Sequence, residues 1–508
     1  MGAKTLSTLL SGISTGKVRG DLDTPITGIS YDSRTTQPGD AFFAIQGEHT
    51  DGHKYIEDAI RAGAGAIIHT KRVSAARETI PFVQSSSVRR LLSAAAAAHY
   101  DHPSRTLYCI GVTGTDGKST TTYMIYQLLR SLGVAAGFMS TVFVDTGTGV
   151  RKNPLRQSTP EAPEVHRILA AMRDNGLTHA VVEATSHGLS EKTYRLEDVF
   201  WKGAVFTNLG HEHLEFHGSF ERYRSDKTRL FAALDRRVET GAWGEFGVVN
   251  VDDTNASAFQ NATERRLFTY SAAGNPADIR AYNIESDDRG NRFDVEVEGT
   301  RFSGRLSFPG DFNVGNALAA LAAAHRASGM PWEKVGSHLE RLTPLPGRMQ
   351  RIGEGQGFDV IVDFAHTPAS FEHVLPAVKS RTAGRLIVVF GSAGERDRGK
   401  RKLQGQIADR FADTIILADE DPRGEEPERI LEEIAGGCRS HERNIDLHLI
   451  PDRREAILRA LKLATAGDAV LLLGKGHESG IIYSDRTVEW DEAGVARELL
   501  HEMGYRDG

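Results

Sequence analysis

Cysteine is nearly absent from the 508 residues. Cys109 and Cys438 are too few for a disulfide framework and are compatible with a reducing compartment. A charge of one sign is missing too. The 61 basic and 68 acidic residues leave a formal net charge of -7, which gives no electrostatic reason to expect nucleic acid or an anionic membrane as partner and points to small molecules. No run approaches the ~18 apolar residues of a membrane span. No early segment combines a charged start, an apolar core and a small-residue cleavage site. The alanine run Ala94–Ala98 reads as the packed face of a helix. The expectation is a soluble, cytoplasmic protein that works as a monomer.

What is present is the patterning of a multidomain α/β protein. The length exceeds what one core serves, so about two to four domains are expected. Residues 1–103 mix short strand-like runs (Ile26–Tyr31, Ala41–Ile45, Ala66–His69) with helices at Tyr55–Ala62 and Val88–His99, and Asp101–Arg105, with Pro103, reads as a connector. From Leu107 onward, apolar runs at Leu107–Ile110, Ala180–Glu183, Ala204–Thr207 and Gly247–Val251 alternate with polar turns and helical patterns, which predicts a parallel sheet. The stretch Asp278–Phe308 alternates like an antiparallel flap and is followed by a helix, Val314–Ser328. Pro344, Pro346 and Gly347 mark a second boundary. Five further runs, Val360–Phe364, Leu386–Phe390, Thr414–Leu417, Leu447–Ile450 and Ala469–Leu472, predict a second doubly wound domain. The predicted architecture is therefore α/β in three domains: 1–103, a central parallel-sheet ATPase domain of phosphate-loop type at 104–343, and a Rossmann-like domain at 344–508.

The segment GVTGTDGKST, 111–120, joins a strand to a helix through a glycine-rich turn. Such a turn aims backbone N–H groups and the positive helix end at one small volume, which suits a chain of phosphates. The match to the usual phosphate loop is incomplete, since Val112 stands where its first glycine belongs, and an ordinary glycine-rich turn is the alternative. Lys118 and Ser119 nevertheless supply its GK[ST] ending: a lysine can meet β/γ phosphates and a hydroxyl can hold Mg²⁺. In open α/β sheets ligands lie beyond the carboxyl ends of strands, and there the chain places Thr113–Ser119, Glu183–His187 and Asn208–His217 in one domain. The other domain places Asp363–Pro368, Gly391–Arg401, Asp419–Arg423 and Gly474–Glu478 in the same way. The simplest reading is one active site between two domains.

Glu183, at the end of a strand, suits either a Mg²⁺ ligand or a cap for the next helix. The segment NLGHEHLEFHG, 208–218, packs three histidines and two glutamates into seven positions. It admits a transition-metal site through His213 and His217, a structural cluster, or a magnesium-phosphate role; no HExxH is formed, because Glu215 fills the last place.

Together with Lys227 in RYRSDKTRLF, Asn250 in NVDD, Asn313 and Asn316 in FPGDFNVGN and Arg348 in PLPGR, these blocks resemble the Mur ligase family. Within it they look like the branch that adds the third amino acid to the peptidoglycan stem peptide. The resemblance covers nearly the whole chain, from YDSRTTQPGDAFFAIQGEHTDGHKYIEDAIRAGA (31–64) to VDFAHTP (362–368), VVFGSAGERDRGKR (388–401), DEDPRGEEP (419–427) and GKGHE (474–478).

The resemblance implies ATP-dependent amide formation on UDP-N-acetylmuramoyl-L-alanyl-D-glutamate by way of an acyl phosphate, with lysine, ornithine or meso-diaminopimelate as the incoming amine. It implies nucleotide binding by Thr113, Gly114, Thr115, Asp116, Gly117, Lys118 and Ser119, with Asn250, Asn313, Arg348, Asp363 and His366 around adenine, ribose and phosphate. Asn313 reads equally as a helix cap. It implies two magnesium sites drawn from Ser119, Glu183, His213 and Lys227, the lysine carrying a CO₂-derived carbamate, so that Lys118, Glu183, His213 and Lys227 form the catalytic set. Ser33 and Arg34 would meet the uridine end of the substrate, and Ser158, Thr159, Ser186 and Arg195 the muramoyl dipeptide. Arg396, Glu420, Asp421, Pro422, Arg423, Gly474 and Glu478 would receive the amino acid.

The chain departs from the family pattern at Glu212 and Glu215, at Ala393 and Glu395, and at Asp421, where diaminopimelate enzymes carry asparagine. An aspartate repels a distal carboxylate and favours an ammonium, which favours lysine or ornithine, whereas Arg423 argues for diaminopimelate. The alternatives are a folylpolyglutamate- or cyanophycin-type ligase of the same superfamily and a nucleotide-binding module without catalysis.

Overall fold

The computed structural model describes residues 2–47, 50–71, 80–153, 155, 159–210, 214–236, 244–287, 290–307 and 310–506. The chain forms two compact units: residues 1–271, 275–279 and 318–335 in the first, and 272–274, 280–317 and 336–508 in the second. The class is mixed α/β, as the alternation of apolar runs and helices predicts. Among the described residues no helix is long and apolar enough to cross a membrane.

Among its described residues the first unit contains, besides the short ladder of Lys4–Thr5 with Pro25–Ile26, two larger sheets. The smaller has Val18–Arg19, Phe82–Gln84, Ala66–His69, Asp40–Phe43 and Gly28–Ser30 in that order, parallel except for the first. Apolar side chains on both of its faces are buried, including Ile67 and Phe42 on one and Ile68 and Phe43 on the other. Helix Val88–His99 covers the second of these faces through Val88, Leu91, Leu92 and Ala95.

The larger sheet runs Arg151–Lys152, Phe143–Asp145, Ala136–Met139, His179–Glu183, Tyr108–Thr113, Trp201–Phe206, Phe246–Asn250 and Arg266–Ser271. From Ala136–Met139 onward its pairs are parallel. The central strands are apolar on both sides because helices cover both faces. Gly111 shows how closely: a Cβ there would lie 2.6 Å from Leu230 Cδ1, so helix Phe220–Ala232 rests directly on the central strand. That contact fixes the height of Lys227, one turn earlier on the same helix.

The second unit contains a hairpin, Gly290–Val297 with Thr300–Leu306, where the sequence predicts an antiparallel flap. Its main sheet has the order Gln350–Ile352, Asp359–Asp363, Ala469–Leu473, Leu386–Phe390, Thr414–Leu417, Leu447–Leu449. All pairs are parallel except the first, and the last strand in sequence inserts between the first two of the five predicted ones. This register sets the carboxyl ends of Asp359–Asp363, Leu386–Phe390, Thr414–Leu417 and Ala469–Leu473 along one edge, where loops 364–368, 391–398, 418–426 and 474–479 begin.

Candidate active site

In the first unit the glycine loop leaves the central strand at Thr113 and enters helix Lys118–Ser131 through Gly117, whose φ of 79° is the left-handed value glycine adopts without strain. Gly114 has no room for a side chain. Its φ is 150°, and a Cβ would stand 1.9 Å from Thr207 Oγ1. The loop is held from the next strand's exit: Asn208 Oδ1 accepts from Asp116 N at 2.9 Å, Asn208 O accepts from Thr115 N at 2.8 Å, and Thr207 Oγ1 donates to Asp116 O at 2.6 Å. Asn250 supports this strap from behind, donating to Thr207 O at 2.7 Å.

Lys118 folds back to donate to Thr115 O at 2.5 Å. Ser119 Oγ donates to Glu183 Oε2 at 2.8 Å, and the same oxygen accepts from Thr141 N at 2.8 Å. Glu183 therefore faces the phosphate loop. The helix that follows is capped by Thr185, whose hydroxyl accepts from Gly188 N at 3.2 Å. Thr113 Oγ1 is buried without a hydrogen-bond partner.

Lys227 is 1% exposed, donates to Gly114 O and lies 4.6 Å from the Tyr223 ring centroid, contacts that suit an ammonium. Tyr223 OH in turn lies 2.9 Å from Thr115 Oγ1. Lys118, Ser119, Glu183 and Lys227 thus gather on one loop, while His213 and Ser158 lie outside the described residues. Among the described residues no group of three or more His, Cys, Asp and Glu side chains is arranged to hold a metal.

Beside Glu183, Thr159 Oγ1 is 2.8 Å from Thr185 Oγ1. Arg195 donates to Thr159 O and to Glu161 Oε1, both at 2.8 Å. Arg89, on helix Val88–His99, also donates to Glu161, to Oε1 at 3.1 Å and Oε2 at 3.0 Å. Composition and motif reading miss Arg89 and Glu161, because neither belongs to a recognisable block. Ser186 Oγ is 3.0 Å from His217 Nε2. Ser33 follows Asp32, onto which Arg34 folds back at 2.6 Å while its side chain stays 86% exposed.

In the second unit Asp363 accepts from Met349 N and Ala365 N, each at 2.7 Å. The Arg348 guanidinium lies 4.8 Å from the Phe364 ring centroid with Nε buried and unpartnered, and His366 Nδ1 lies 2.9 Å from Phe364 O. Asn313 lies inside the first turn of helix Phe312–Ser328 and not before it, so the cap reading is corrected: the helix starts two residues before the predicted Val314. Asn316 donates to Asn313 Oδ1 at 3.2 Å.

Along the carboxyl edge of this sheet, Glu420, Asp421 and Pro422 are buried and Arg423 is partly so, 4.0 Å from Asp421. Arg423 adopts φ 56°, and its N–H donates to Ile482 O at 2.9 Å. Gly474 has φ 99°, and a Cβ there would stand 3.0 Å from Glu420 Oε2, itself buried and unpartnered. Fully buried Lys475 binds Asp421 at 2.9 Å and Glu478 at 2.6 Å. Burial raises the Glu478 carboxyl above its ordinary value, partly offset by Lys475. Arg396 is exposed.

The supports beneath this edge escape sequence reading. Arg401, fully buried, binds Glu425 at 3.0 Å and Glu433 at 2.7 Å and accounts for the depression of the Glu425 carboxyl to about 2. Arg453, also fully buried, pairs with Glu492 at 2.7 Å and donates to Asp419 O and Leu473 O. Long separation hides both: Arg453 and Glu492 stand 39 residues apart in the chain.

Comparison with known proteins supplies the family. The chain matches the "Mur ligase family, catalytic domain" over residues 25–100, the "Mur ligase middle domain" over 112–324 and the "Mur ligase, glutamate ligase domain" over 347–476. It is 45% identical over 486 residues to a protein of Borreliella afzelii named UDP-N-acetylmuramyl-tripeptide synthetase, covering 95% of each. It is 35% identical over 503 residues to a UDP-N-acetylmuramoyl-L-alanyl-D-glutamate--2,6-diaminopimelate ligase of Clostridium tetani, covering 98% of this chain and 99% of the relative. A solved structure of a ligase of that second name superposes with a TM-score of 0.67 at 29% identity, covering 99% of this chain and all of the other. With three domain matches in order and relatives aligned along nearly its full length, the chain belongs to the Mur ligase family.

Proposed function

We propose that the chain is an ATP-dependent ligase that joins a diamino acid to the D-glutamyl γ-carboxylate of UDP-N-acetylmuramoyl-L-alanyl-D-glutamate, a step in making the peptidoglycan precursor. The observation that carries this reading is the Ser119–Glu183 contact at the end of a glycine loop whose Thr113 hydroxyl is buried without a partner. A hydroxyl and a carboxylate side by side are hard oxygen donors, the set Mg²⁺ prefers when phosphates supply its remaining ligands. Mg²⁺ there would neutralise charge on the phosphates.

Backbone N–H groups at the start of helix Lys118–Ser131 receive the β and γ phosphates, and Lys118 swings from Thr115 O to meet them. The γ-phosphoryl group passes to the glutamyl γ-carboxylate, giving ADP and an acyl phosphate. The incoming amine attacks the acyl carbon, phosphate leaves and the amine loses a proton. Such a transfer needs charge neutralisation and alignment more than a nucleophilic side chain. His213 and a carbamylated Lys227 are assigned to a second magnesium site on the family resemblance. A carbamate keeps one N–H on Nζ that can still donate to Gly114 O, while its carboxylate oxygens must point away from that carbonyl.

Ser33 and Arg34 are assigned to the uridine end, Ser158, Thr159, Ser186 and Arg195 to the dipeptide, and Asn250, Asn313, Arg348, Asp363 and His366 to the nucleotide. Arg396, Glu420, Asp421, Pro422, Arg423, Gly474 and Glu478 are assigned to the amino acid. The three functional domains are 1–103, 104–343 and 344–508, and the enzyme works in the cytoplasm as a monomer. Three carboxylates against Lys475 and Arg423 around Asp421 favour a distal ammonium, so lysine or ornithine is preferred to meso-diaminopimelate.

The test is phosphate release from ATP and Mg²⁺ with the UDP-dipeptide and each of the three amino acids in turn. Release with lysine or ornithine supports the reading; exclusive use of diaminopimelate overturns the preference, and no release with any of them overturns the function.

A further inference from the structure

Three buried side chains from three separate elements form a hydrogen-bonded row in the first unit. Ser186 opens the short helix Ser186–Leu189, His217 ends Leu214–His217, and Asp226 sits in the middle of Phe220–Ala232. His217 Nδ1 is 2.8 Å from Asp226 Oδ2, and His217 Nε2 is 3.0 Å from Ser186 Oγ. Their exposures are 1% for Ser186, 2% for His217 and 8% for Asp226, so water does not substitute for these partners. The imidazole is also packed edge-on against Tyr223 at 5.2 Å and His187 at 5.4 Å, which fixes the ring plane.

The order of the row fixes its protons. A carboxylate only accepts, so Asp226 assigns a ring proton to Nδ1; in the neutral ring Nε2 then carries the lone pair and the Ser186 hydroxyl donates to it. A serine hydroxyl is otherwise a free rotor; here its proton is committed and its position set. Asp226 precedes Lys227, which reaches the other way to Gly114 O. Helix Phe220–Ala232 is therefore tied at consecutive residues to the His217–Ser186 row and to the phosphate loop.

We propose that His217 and Asp226 are positioning residues that hold the Ser186 hydroxyl for the muramoyl dipeptide, an inference that rests on the assignment of Ser186 to that substrate. Neither residue touches the substrate. Each acts through Ser186, and that makes their effects inseparable from it.

The experiment is a double-mutant cycle on the full chain with KM measured separately for the UDP-dipeptide and for ATP. Ser186→Ala and His217→Asn each raise KM for the dipeptide by about 3- to 10-fold, the loss of one neutral hydrogen bond, and leave KM for ATP within about twofold. His217→Asn keeps an amide within reach of Asp226 while losing Ser186. The double variant is no worse than the poorer single one, because the same interaction is removed twice. Additive losses, or equal rises in both KM values, overturn the proposal. Histidine ¹⁵N spectra of the unaltered protein judge the row without turnover: His217 protonated on Nδ1 and not on Nε2 supports it, and a proton on Nε2 overturns it. A protein that shows the Nδ1 tautomer but no release of phosphate keeps the row and loses the assigned substrate, so the two failures are distinguishable.

Discussion

The ammonium of Lys475 lies 2.9 Å from Asp421 Oδ1, so the aspartate that sequence reading assigns to an incoming ammonium already holds one belonging to the chain. Glu478 accepts from the same Nζ at 2.6 Å. Burial alone would lower the Lys475 pKa, but the two carboxylates outweigh it and raise it. On the proposed assignment of this edge to the amino acid, the incoming amine meets a partly neutralised acidic cluster whose charge Lys475 sets.

Replacing that internal cation should sharpen discrimination by charge. Lys475→Met removes the one ammonium shared by Asp421 and Glu478 and leaves Asp421 only the more distant Arg423, 4.0 Å away, and at an effective dielectric near the protein surface one unit charge at contact distance is worth about a few kcal/mol before relaxation. The ratio of kcat/KM for lysine to that for meso-diaminopimelate is expected to rise by about tenfold or more. An unchanged ratio would make Lys475 a structural cation only.

Glu183→Gln keeps the shape that receives Thr141 N and Ser119 Oγ but removes the charge. With the backbone contacts retained, melting temperature should change little, whereas kcat should fall by about 10²–10³-fold, the scale for losing one electrostatic contact to a developing charge. Ser119→Ala should raise the Mg²⁺ concentration needed for half-maximal rate. Undiminished kcat in the Glu183→Gln variant would sink the magnesium assignment.

How much of this is legible in the sequence depends on the range of each interaction. The five apolar runs of the C-terminal sheet stand within a residue or two of the strands found, because a strand buried on both faces must be apolar throughout. Helix Val88–His99 has the bounds its sequence pattern predicts. The edge pair Phe143–Asp145 and Arg151–Lys152 escapes the pattern, since its glycine-rich turn and charged residues carry no period. Glu183 beside Ser119 follows from topology, as the strands that lead to both are adjacent, parallel and open at their carboxyl ends. Lys475 is silent within its own motif, and so are Arg401, Arg453 and the His217 row, because, Glu478 apart, their side-chain partners lie 9 to 54 residues away in sequence and burial cannot be read from a charged letter.

Lys227→Ala is expected to abolish turnover while leaving the phosphate loop folded, because the loop keeps its place through Thr207 and Asn208. Short-chain carboxylates such as acetate or propionate should restore part of the rate if the lysine serves as a carbamate. The check is phosphate release with and without added carboxylate; full activity of the variant would reject the role, and a dead variant without rescue would leave Lys227 as an ammonium acting in that form.

The pH dependence of folding offers a test at Asp419, whose carboxyl is raised from an ordinary 3.8 to about 6, chiefly by burial, with the Tyr483 hydroxyl opposing. Its Oδ2 accepts from Tyr483 OH at 3.0 Å and its Oδ1 is buried without a partner. The folded state holds the proton more tightly than the unfolded chain does, so this group's contribution to stability is complete below the ordinary value and is lost as pH rises through about 6. Asp419→Asn removes the charge and keeps an oxygen for Tyr483, at the cost of burying an unpaired amide N–H, which is the same at every pH. The melting temperature of the variant relative to the unaltered protein should therefore climb between about pH 4 and pH 6, the interval between the unfolded and folded pKa values, and level off above it, for a total equivalent to about 3 kcal/mol at most. A difference that stays flat across that range would mean that Asp419 is ionised in the folded protein as readily as in the unfolded chain.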